Sequence, residues 1–293
     1  MATIGFCGTG QMGAPMAARL VEAGLDVAVW NRSAARAAPL VDAGARWADS
    51  PRDAAAGAAT VITMLATPEA LEAVVFGGDG VRAGLEGGAT LVEMSTVGPA
   101  AVRSVAARLP AGVSMLDAPV LGSVPQATDG TLKLFVGGDD EVVERHRGVL
   151  ALLGRVDHLG PLGAGAAMKL VVNSTLGALM AGLAEAMVLG DAFGLDQGAV
   201  LDVLADSPIG ATARGKRSRI ESDRYPPNFK LALAAKDLRL VVEAAEAAGA
   251  EPRLAAAARS WFEDAARAGL GALDYSAVIA HARGREAAGP DAE

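Results

Sequence analysis

Lys169 and Asn173 stand four residues apart in the stretch Gly163-Ala-Gly-Ala-Ala-Met-Lys-Leu-Val-Val-Asn-Ser-Thr-Leu-Gly177. On a helix, that spacing puts both side chains on one face. No charged residue follows Lys169 until Glu185, so the stretch reads as a buried helix with one lysine at its mouth. An ammonium against apolar surface loses hydration, which favours the neutral amine and suits a proton donor or acceptor. The same spacing also suits a lysine that extends its ammonium to water at a helix end. Of the 26 basic residues only five are lysines. A position that needed charge alone would more often be arginine here, whereas a titrating role needs lysine.

The elements that must position this pair begin at the N-terminus. Thr3 to Cys7 is an apolar strand, and Gly8-Thr-Gly-Gln-Met-Gly13 follows as G-x-G-x-x-G. Ala14 to Ala23 continues as an alanine-rich helix, Gly24 is a C-cap, and Leu25 to Trp30 is a second strand. This strand–turn–helix–strand context is the one in which the glycine motif binds a dinucleotide. Gly8 permits the tight turn, Gly10 lets a pyrophosphate approach the backbone, and Gly13 lets the helix pack on the strand. Thr9, Gln11 and Met12 complete the loop, and the helix N-terminus offers its N–H groups to phosphate.

An NAD-binding chain usually carries Asp or Glu at the end of the second strand, on the ribose hydroxyls. Asn31-Arg32-Ser33 stands there instead, with Arg36 one turn later. Two guanidiniums and a hydroxyl suit a 2′-phosphate, so NADP(H) is expected over NAD(H). Alternatively, the arginines begin a surface helix capped by Ser33.

Alternation of strand and helix continues. Thr60 to Leu65 and Ala89 to Met94 are apolar strands ending in the loops Ala66-Thr-Pro-Glu69 and Ser95-Thr-Val-Gly-Pro99. Val113 to Leu116, Leu132 to Val136 and Arg155 to Leu159 are further strands, with a helix over 139–153. The pattern predicts an α/β Rossmann domain, a doubly wound and mostly parallel sheet, over 1–161. Between Asp117 and Leu132, Pro119, Gly122, Pro125 and Gly130 predict a loop. Its N–H groups around Gly122 and Ser123 could hold an anion.

From Ala164 onward every readable element is helical: 166–193, 197–206, 211–221, 231–248 and 252–268. An all-α domain over 162–284 follows, with a disordered tail over 285–293. Met180, Leu183, Met187 and Leu189 recur at helical spacing and read as core or subunit interface.

The chain has 293 residues, 52% hydrophobic but only 4% aromatic, and a net charge of −8. That charge argues against non-specific nucleic-acid binding. Cys7 is the only cysteine, which excludes an intrachain disulfide and suits a reducing compartment. Met1 to Phe6 lacks a basic signal-peptide region, and the charge-free run after Lys169 contains Asn173, Ser174 and Thr175, so a cytoplasmic protein with no membrane span is expected. His146, His158 and His281 have no metal-ligand spacing, and no metal site is expected.

Gly8-x-Gly-x-Met-Gly13, Asp117-Ala-Pro-Val, Gly130-Thr-Leu132, Gly163-x-Gly165 with Lys169-x-x-x-Asn173, and Lys236-Asp237-Leu238 occur in one order. In that set the chain resembles the β-hydroxyacid dehydrogenase family, which includes 3-hydroxyisobutyrate dehydrogenase, tartronate semialdehyde reductase and the glyoxylate/succinic semialdehyde reductases. The resemblance covers nearly the whole chain. It implies that Lys169 is the catalytic acid/base, that Asn173 helps to bind substrate, and that Thr96 and Lys236 contact the nicotinamide side of the cofactor, where Met64 and Leu65 also lie. It implies that Phe229 walls the pocket, although ordinary core is an equal reading of that residue. It also implies a small-molecule substrate and a homodimer or homotetramer formed through the helical domain.

One departure stands out. Where the family usually has serine, this chain has Leu121, before Gly122 and Ser123. The lost hydroxyl weakens the expected grip on a substrate carboxylate by about 1.5–3 kcal/mol and favours a larger or less polar carbonyl compound. An imine-reductase reading fits Leu121 but not Lys169, because those relatives generally carry Asp or Tyr there. A non-catalytic dinucleotide-binding scaffold would be expected to have lost the lysine.

Overall fold

The computed structural model describes residues 3–289. By internal contacts the chain divides into two compact units, Met1–Lys169 and Leu170–Glu293.

The first unit is built on six strands: β1 (Thr3–Cys7), β2 (Asp26–Trp30), β3 (Arg46–Trp47), β4 (Ala58–Thr63), β5 (Thr90–Glu93) and β6 (Ser114–Asp117). They lie in the order β3-β2-β1-β4-β5-β6 with every pairing parallel. This is the doubly wound order of the Rossmann fold. Helices α1 (Gly13–Glu22), α2 (Ala38–Asp42), α3 (Pro51–Ala55), α4 (Pro68–Phe76), α5 (Val81–Gly84) and α6 (Pro99–Ala106) connect them. Strand residues alternate between two cores, as the period of two requires. Ile4, Phe6, Ile62 and Val92 join one core with Met16 and Leu20 of α1, while Cys7, Val61 and Leu91 join the other with Leu71 and Val102.

After β6 come β7 (Val120–Leu121), α7 (Val124–Asp129), β8 (Leu132–Val136), α8 (Asp140–Ala151) and β9 (Gly154–His158). They form a second sheet, with β7 antiparallel and β9 parallel to β8. The stretch 117–132 is therefore not a plain loop. Ser123 stands at the N-cap of α7, Pro125 falls in its first turn, where a missing N–H costs nothing, and Gly130 ends it at φ +68°. The residues that read as loop punctuation are the start and stop of a six-residue helix.

Helix α9 (Ala164–Ala192) begins in the first unit and runs through the second. There α10 (Gln197–Ala205), α11 (Gly210–Ser222), α12 (Leu231–Ala247), α13 (Arg253–Arg267) and α14 (Val278–Ala282) pack with it. By length and composition α9 could cross a membrane. Here Met180, Leu183 and Met187 instead build a core with Ile220, Tyr225, Leu238 and Phe262, while Leu189 stays exposed.

The expected tail is packed as far as it is described. Ala288 accepts from the Tyr225 N–H and donates to Asp223 O, and Arg285 pairs with Asp191 and Gln197. Backbone pairing and charge hold a segment whose composition read as disordered; residues 290–293 of that expectation lie outside the described residues.

Candidate functional site

The glycine loop between β1 and α1 meets three separate constraints. Gly8 has φ +107°, and a Cβ on it would lie 2.3 Å from the Met64 carbonyl oxygen. A Cβ on Gly13 would lie 1.9 Å from Gly8 O and 3.2 Å from the Phe6 ring, so α1 seats on β1 only with glycine there. Around Gly10, by contrast, a Cβ would meet no protein atom within 4 Å. The first turn of α1 carries no side-chain cap and no acidic residue, leaving its positive end uncompensated. Thr9 is buried, and its hydroxyl has no hydrogen-bond partner among the described residues. An open glycine, an uncompensated helix end and an orphaned hydroxyl fit a dinucleotide pyrophosphate. Gln11 and Met12 complete the turn.

Asn31 ties this loop to the end of β2. Its Oδ1 accepts the Thr9 N–H at 3.2 Å, and its Nδ2 donates to Ser33 O at 2.9 Å. Arg32, Ser33 and Arg36 are exposed beyond it, Arg36 in a short 3-10 turn. Ser33 makes no side-chain cap to that turn.

Met64 and Leu65 follow β4, and Thr96 follows β5. The Met64 N–H donates to Cys7 O at 3.0 Å and the Leu65 N–H to Ser95 Oγ at 2.7 Å. The Ser95 N–H donates in turn to Glu93 Oε1 at 2.7 Å, and the Thr63 hydroxyl bonds Glu93 Oε2. Glu93 is fully buried.

Asp117 closes β6 and is also fully buried. Its Oδ1 accepts the Gly163 N–H at 2.7 Å and its Oδ2 the Ala166 N–H at 2.6 Å. Burial pushes its carboxyl above the usual range, and these N–H bonds oppose that shift. The pair caps α9 from another strand. Gly163 takes φ +97°, and a Cβ on Gly165 would lie 2.0 Å from Phe135 O, which accounts for the Gly163-x-Gly165 spacing. This non-local cap starts α9 two residues earlier than expected and draws its first turns, up to Lys169, into the first unit. Lys169 is half-buried.

Gly122 has φ +141°, and a Cβ there would meet Leu132 at 2.7 Å. Ser123 turns both its donors onto Gln126 Oε1, the N–H at 2.9 Å and the hydroxyl at 2.8 Å. The anion-holding pair expected at Gly122 and Ser123 is therefore partly engaged in capping α7. Leu121 is exposed on β7, opposite Lys133.

In the helical unit Asn173 and Lys236 are brought together by Asp237. The Asn173 Nδ2 donates to Asp237 Oδ2 at 2.7 Å, and Lys236 Nζ lies 2.6 Å from Asp237 Oδ1. All three are buried or nearly so. A Cβ on Gly177 would lie 2.4 Å from Leu238, so α12 approaches α9 closely beside the pair. Phe229 packs on Tyr275 with ring centroids 5.6 Å apart, and its N–H points to Asp274, as in ordinary core.

Reasoning on the sequence assigned no role to Glu93, Asp117 or Asp237. The available signal was a carboxylate closing an otherwise apolar strand, twice, and one inside Lys236-Asp237-Leu238. Among the described residues no group of His, Cys, Asp or Glu is arranged to hold a metal. His146 on α8 bridges Thr60 Oγ1 of β4 at 3.1 Å and Thr90 Oγ1 of β5 at 2.8 Å.

Two family models match end to end. The one for the NAD-binding domain of 6-phosphogluconate dehydrogenase covers residues 3–163, and the one for the NAD-binding region of NADP-dependent 3-hydroxyisobutyrate dehydrogenase covers 163–282. The chain is 38% identical to glyoxylate/succinic semialdehyde reductase 2 of Arabidopsis thaliana, over 94% of this chain and 78% of that one. It is 38% identical to 3-hydroxyisobutyrate dehydrogenase of Pseudomonas aeruginosa, over 98% and 100%. The structure of Mycobacterium tuberculosis 3-hydroxyisobutyrate dehydrogenase with L-serine superposes with a TM-score of 0.85 at 34% identity, covering 97% and 99%. An imine reductase from Myxococcus stipitatus, at 21% identity and TM-score 0.65, shares the fold. A nicotinamide dinucleotide is thus the molecule for which the glycine loop is shaped, and the chain belongs to the β-hydroxyacid dehydrogenase family, oxidoreductases that act on hydroxyl and carbonyl groups.

Proposed function

We propose that this chain is an NADP(H)-dependent reductase of small carbonyl compounds, equivalently a 3-hydroxyacid-type dehydrogenase, with Lys169 as general acid/base. The bound cofactor supplies or accepts the hydride. Lys169 in its ammonium form protonates the developing alkoxide oxygen, and in the reverse direction its amine takes the hydroxyl proton. Asn173 orients the substrate oxygen, held in place by Asp237. Thr96, Met64, Leu65 and Lys236 contact the nicotinamide side.

The observation that carries this reading is the half-buried Lys169, on a helix start fixed by Asp117 and one turn before the buried Asn173. The preference for NADP(H) rests on Asn31, Arg32, Ser33 and Arg36, a stretch after β2 that holds no carboxylate and two exposed guanidiniums. Gly122 and Ser123 bind the polar end of the substrate once Ser123 releases Gln126. The exposed Leu121 directs the preference toward a larger or less carboxylate-like aldehyde. Relatives are named for succinic semialdehyde and for 3-sulfolactaldehyde. Val171, Leu179 and Leu189 leave an apolar stripe exposed along α9, which supports pairing of two copies through the helical unit. The single buried thiol, Cys7, is at home in the cytoplasm.

A panel of aldehydes, keto acids and alcohols, run separately with NADPH and NADH, tests the reading. NADPH is expected to be preferred at least tenfold; a tenfold preference for NADH would refute the role given to Arg32 and Arg36. Lys169→Ala is expected to lower kcat by about 10²–10⁴ while NADPH affinity stays within threefold. Equal loss of both would remove Lys169 from the chemistry.

A further inference from the structure

Cys7, Thr63, Glu93 and Asp117 form a row across the C-terminal edge of the sheet, each the register partner of the next. All four are fully buried. Two carboxylates at neighbouring strand ends, sealed from water, are retained only where hydrogen bonds compensate their lost hydration. Asp117 spends its oxygens on the start of α9. Glu93 spends its own on two backbone turns.

Glu93 Oε2 receives the Thr63 hydroxyl, at the last residue of β4. Glu93 Oε1 receives the Ser95 N–H at 2.7 Å, and the Ser95 hydroxyl receives the Leu65 N–H at 2.7 Å. One carboxylate, directly and through Ser95, therefore sets both the turn bearing Met64 and Leu65 and the turn bearing Thr96. The first of these turns also abuts the glycine loop, since only the missing side chain of Gly8 lets Met64 O approach. The length of the side chain matters. An aspartate at 93 would fall roughly 1.5 Å short, one carbon–carbon bond, and could not reach Thr63 and Ser95 together.

We propose that Glu93 is a positioning residue for the nicotinamide half of the cofactor, acting by fixing the Leu65 and Ser95–Thr96 turns. The proposal rests on the reading of Met64, Leu65 and Thr96 as nicotinamide-side contacts. It predicts that disturbing Glu93 or Ser95 separates the two halves of the dinucleotide: nicotinamide-side affinity falls and adenosine-side affinity does not.

The test compares Glu93→Asp and Ser95→Ala with the wild type, by fluorescence or calorimetric titration of NADPH and of adenosine 2′,5′-bisphosphate, which lacks the nicotinamide. NADH and ADP replace them if the wild type prefers NADH. Both variants are expected to bind NADPH at least tenfold more weakly and the fragment within twofold of wild type. In the cofactor-free protein the Leu65 amide in Ser95→Ala, and the Ser95 amide in Glu93→Asp, are expected to exchange hydrogen at least tenfold faster, with Val61 and Leu91 unchanged. NADPH affinity within twofold of wild type in both variants would overturn the proposal. So would an equal fall for NADPH and fragment, which would mark Glu93 as general scaffold. A wild type that binds NADPH yet turns over no carbonyl sinks the catalytic reading alone; the affinity ratio then still decides the role of Glu93.

Discussion

Asp237→Asn separates the structural role of the Asn173–Asp237–Lys236 cluster from the substrate-binding role proposed for Asn173. In the wild type a carboxylate that is 4% exposed accepts the Asn173 amide at 2.7 Å and sits 2.6 Å from the Lys236 ammonium. Removing one partner of a buried ion pair costs about 3–5 kcal/mol. The asparagine keeps one acceptor oxygen and the volume, so the low end, about 3 kcal/mol, is expected. At 2–4 °C per kcal/mol for a body of this size, the melting temperature should fall by roughly 6–12 °C. Catalysis should fall further than stability alone explains. One neutral amide oxygen must now serve both the Asn173 amide and the Lys236 ammonium, so Asn173 is held less firmly, and a misplacement of about 1 Å costs about 10²-fold in rate. The assay is kcat/KM for the best carbonyl substrate, measured at 25 °C where the variant is still folded. A control, Phe262→Leu, disturbs the core of the same helical unit at a fully buried side chain with no hydrogen bond to this cluster. Asp237→Asn should lose 10-fold or more in kcat/KM, whereas the control, chosen to match its melting temperature, should lose less than twofold. If the control loses as much, or Asp237→Asn keeps wild-type kcat/KM, then Asp237 does not position Asn173.

Asp117→Ala removes the cap of α9, a change worth about 0.5–2 kcal/mol at ordinary caps. It should speed hydrogen exchange at Gly163 and Ala166, and lower kcat about tenfold with NADPH affinity held. His146 gives the chain an acid-sensitive point where α8 meets the sheet. Burial, and then the nearby Arg145, hold its pKa below the ordinary 6.5. The fold thus favours the neutral ring, whose contribution is complete above pH 6.5 and is lost as pH falls through the depressed folded value. Urea unfolding at pH 7.5 and pH 5 should show wild-type stability dropping toward acid and a flatter profile for His146→Asn.

The glycine loop was legible because its constraints are short-range. Gly8 and Gly13 answer to each other and to Phe6, all within a span the motif itself covers. The alternation of strand and helix is local in the same sense, since each apolar strand read from the sequence is complete in four to six residues, while the two-residue β3 and β7 were too short to show. The anchors of the site are different in kind. Asp117 reaches Gly163 and Ala166 across 46 and 49 residues, and Asp237 reaches Asn173 across 64. Glu93 reaches Thr63 across 30. No periodicity or spacing encodes such pairings, because they exist only once the strands have found their register. The short helix over 124–129 failed to show for the opposite reason: its Pro125 and Gly130 are stronger as punctuation than its single turn and a half is as pattern. The residues expected to touch ligand were named from the chain, and the buried carboxylates of Glu93, Asp117 and Asp237 were not. Two of these share one property that is visible in hindsight: Glu93 and Asp117 each end an apolar strand with a carboxylate. In a doubly wound sheet that edge is where ligands bind. A charge placed there is either exposed to the ligand or buried beneath it, and burial without hydrogen-bonding partners would unfold the strand end. Glu93 and Asp117, both fully buried, meet that cost with backbone N–H groups and, for Glu93, the Thr63 hydroxyl, in the turns and the helix above them.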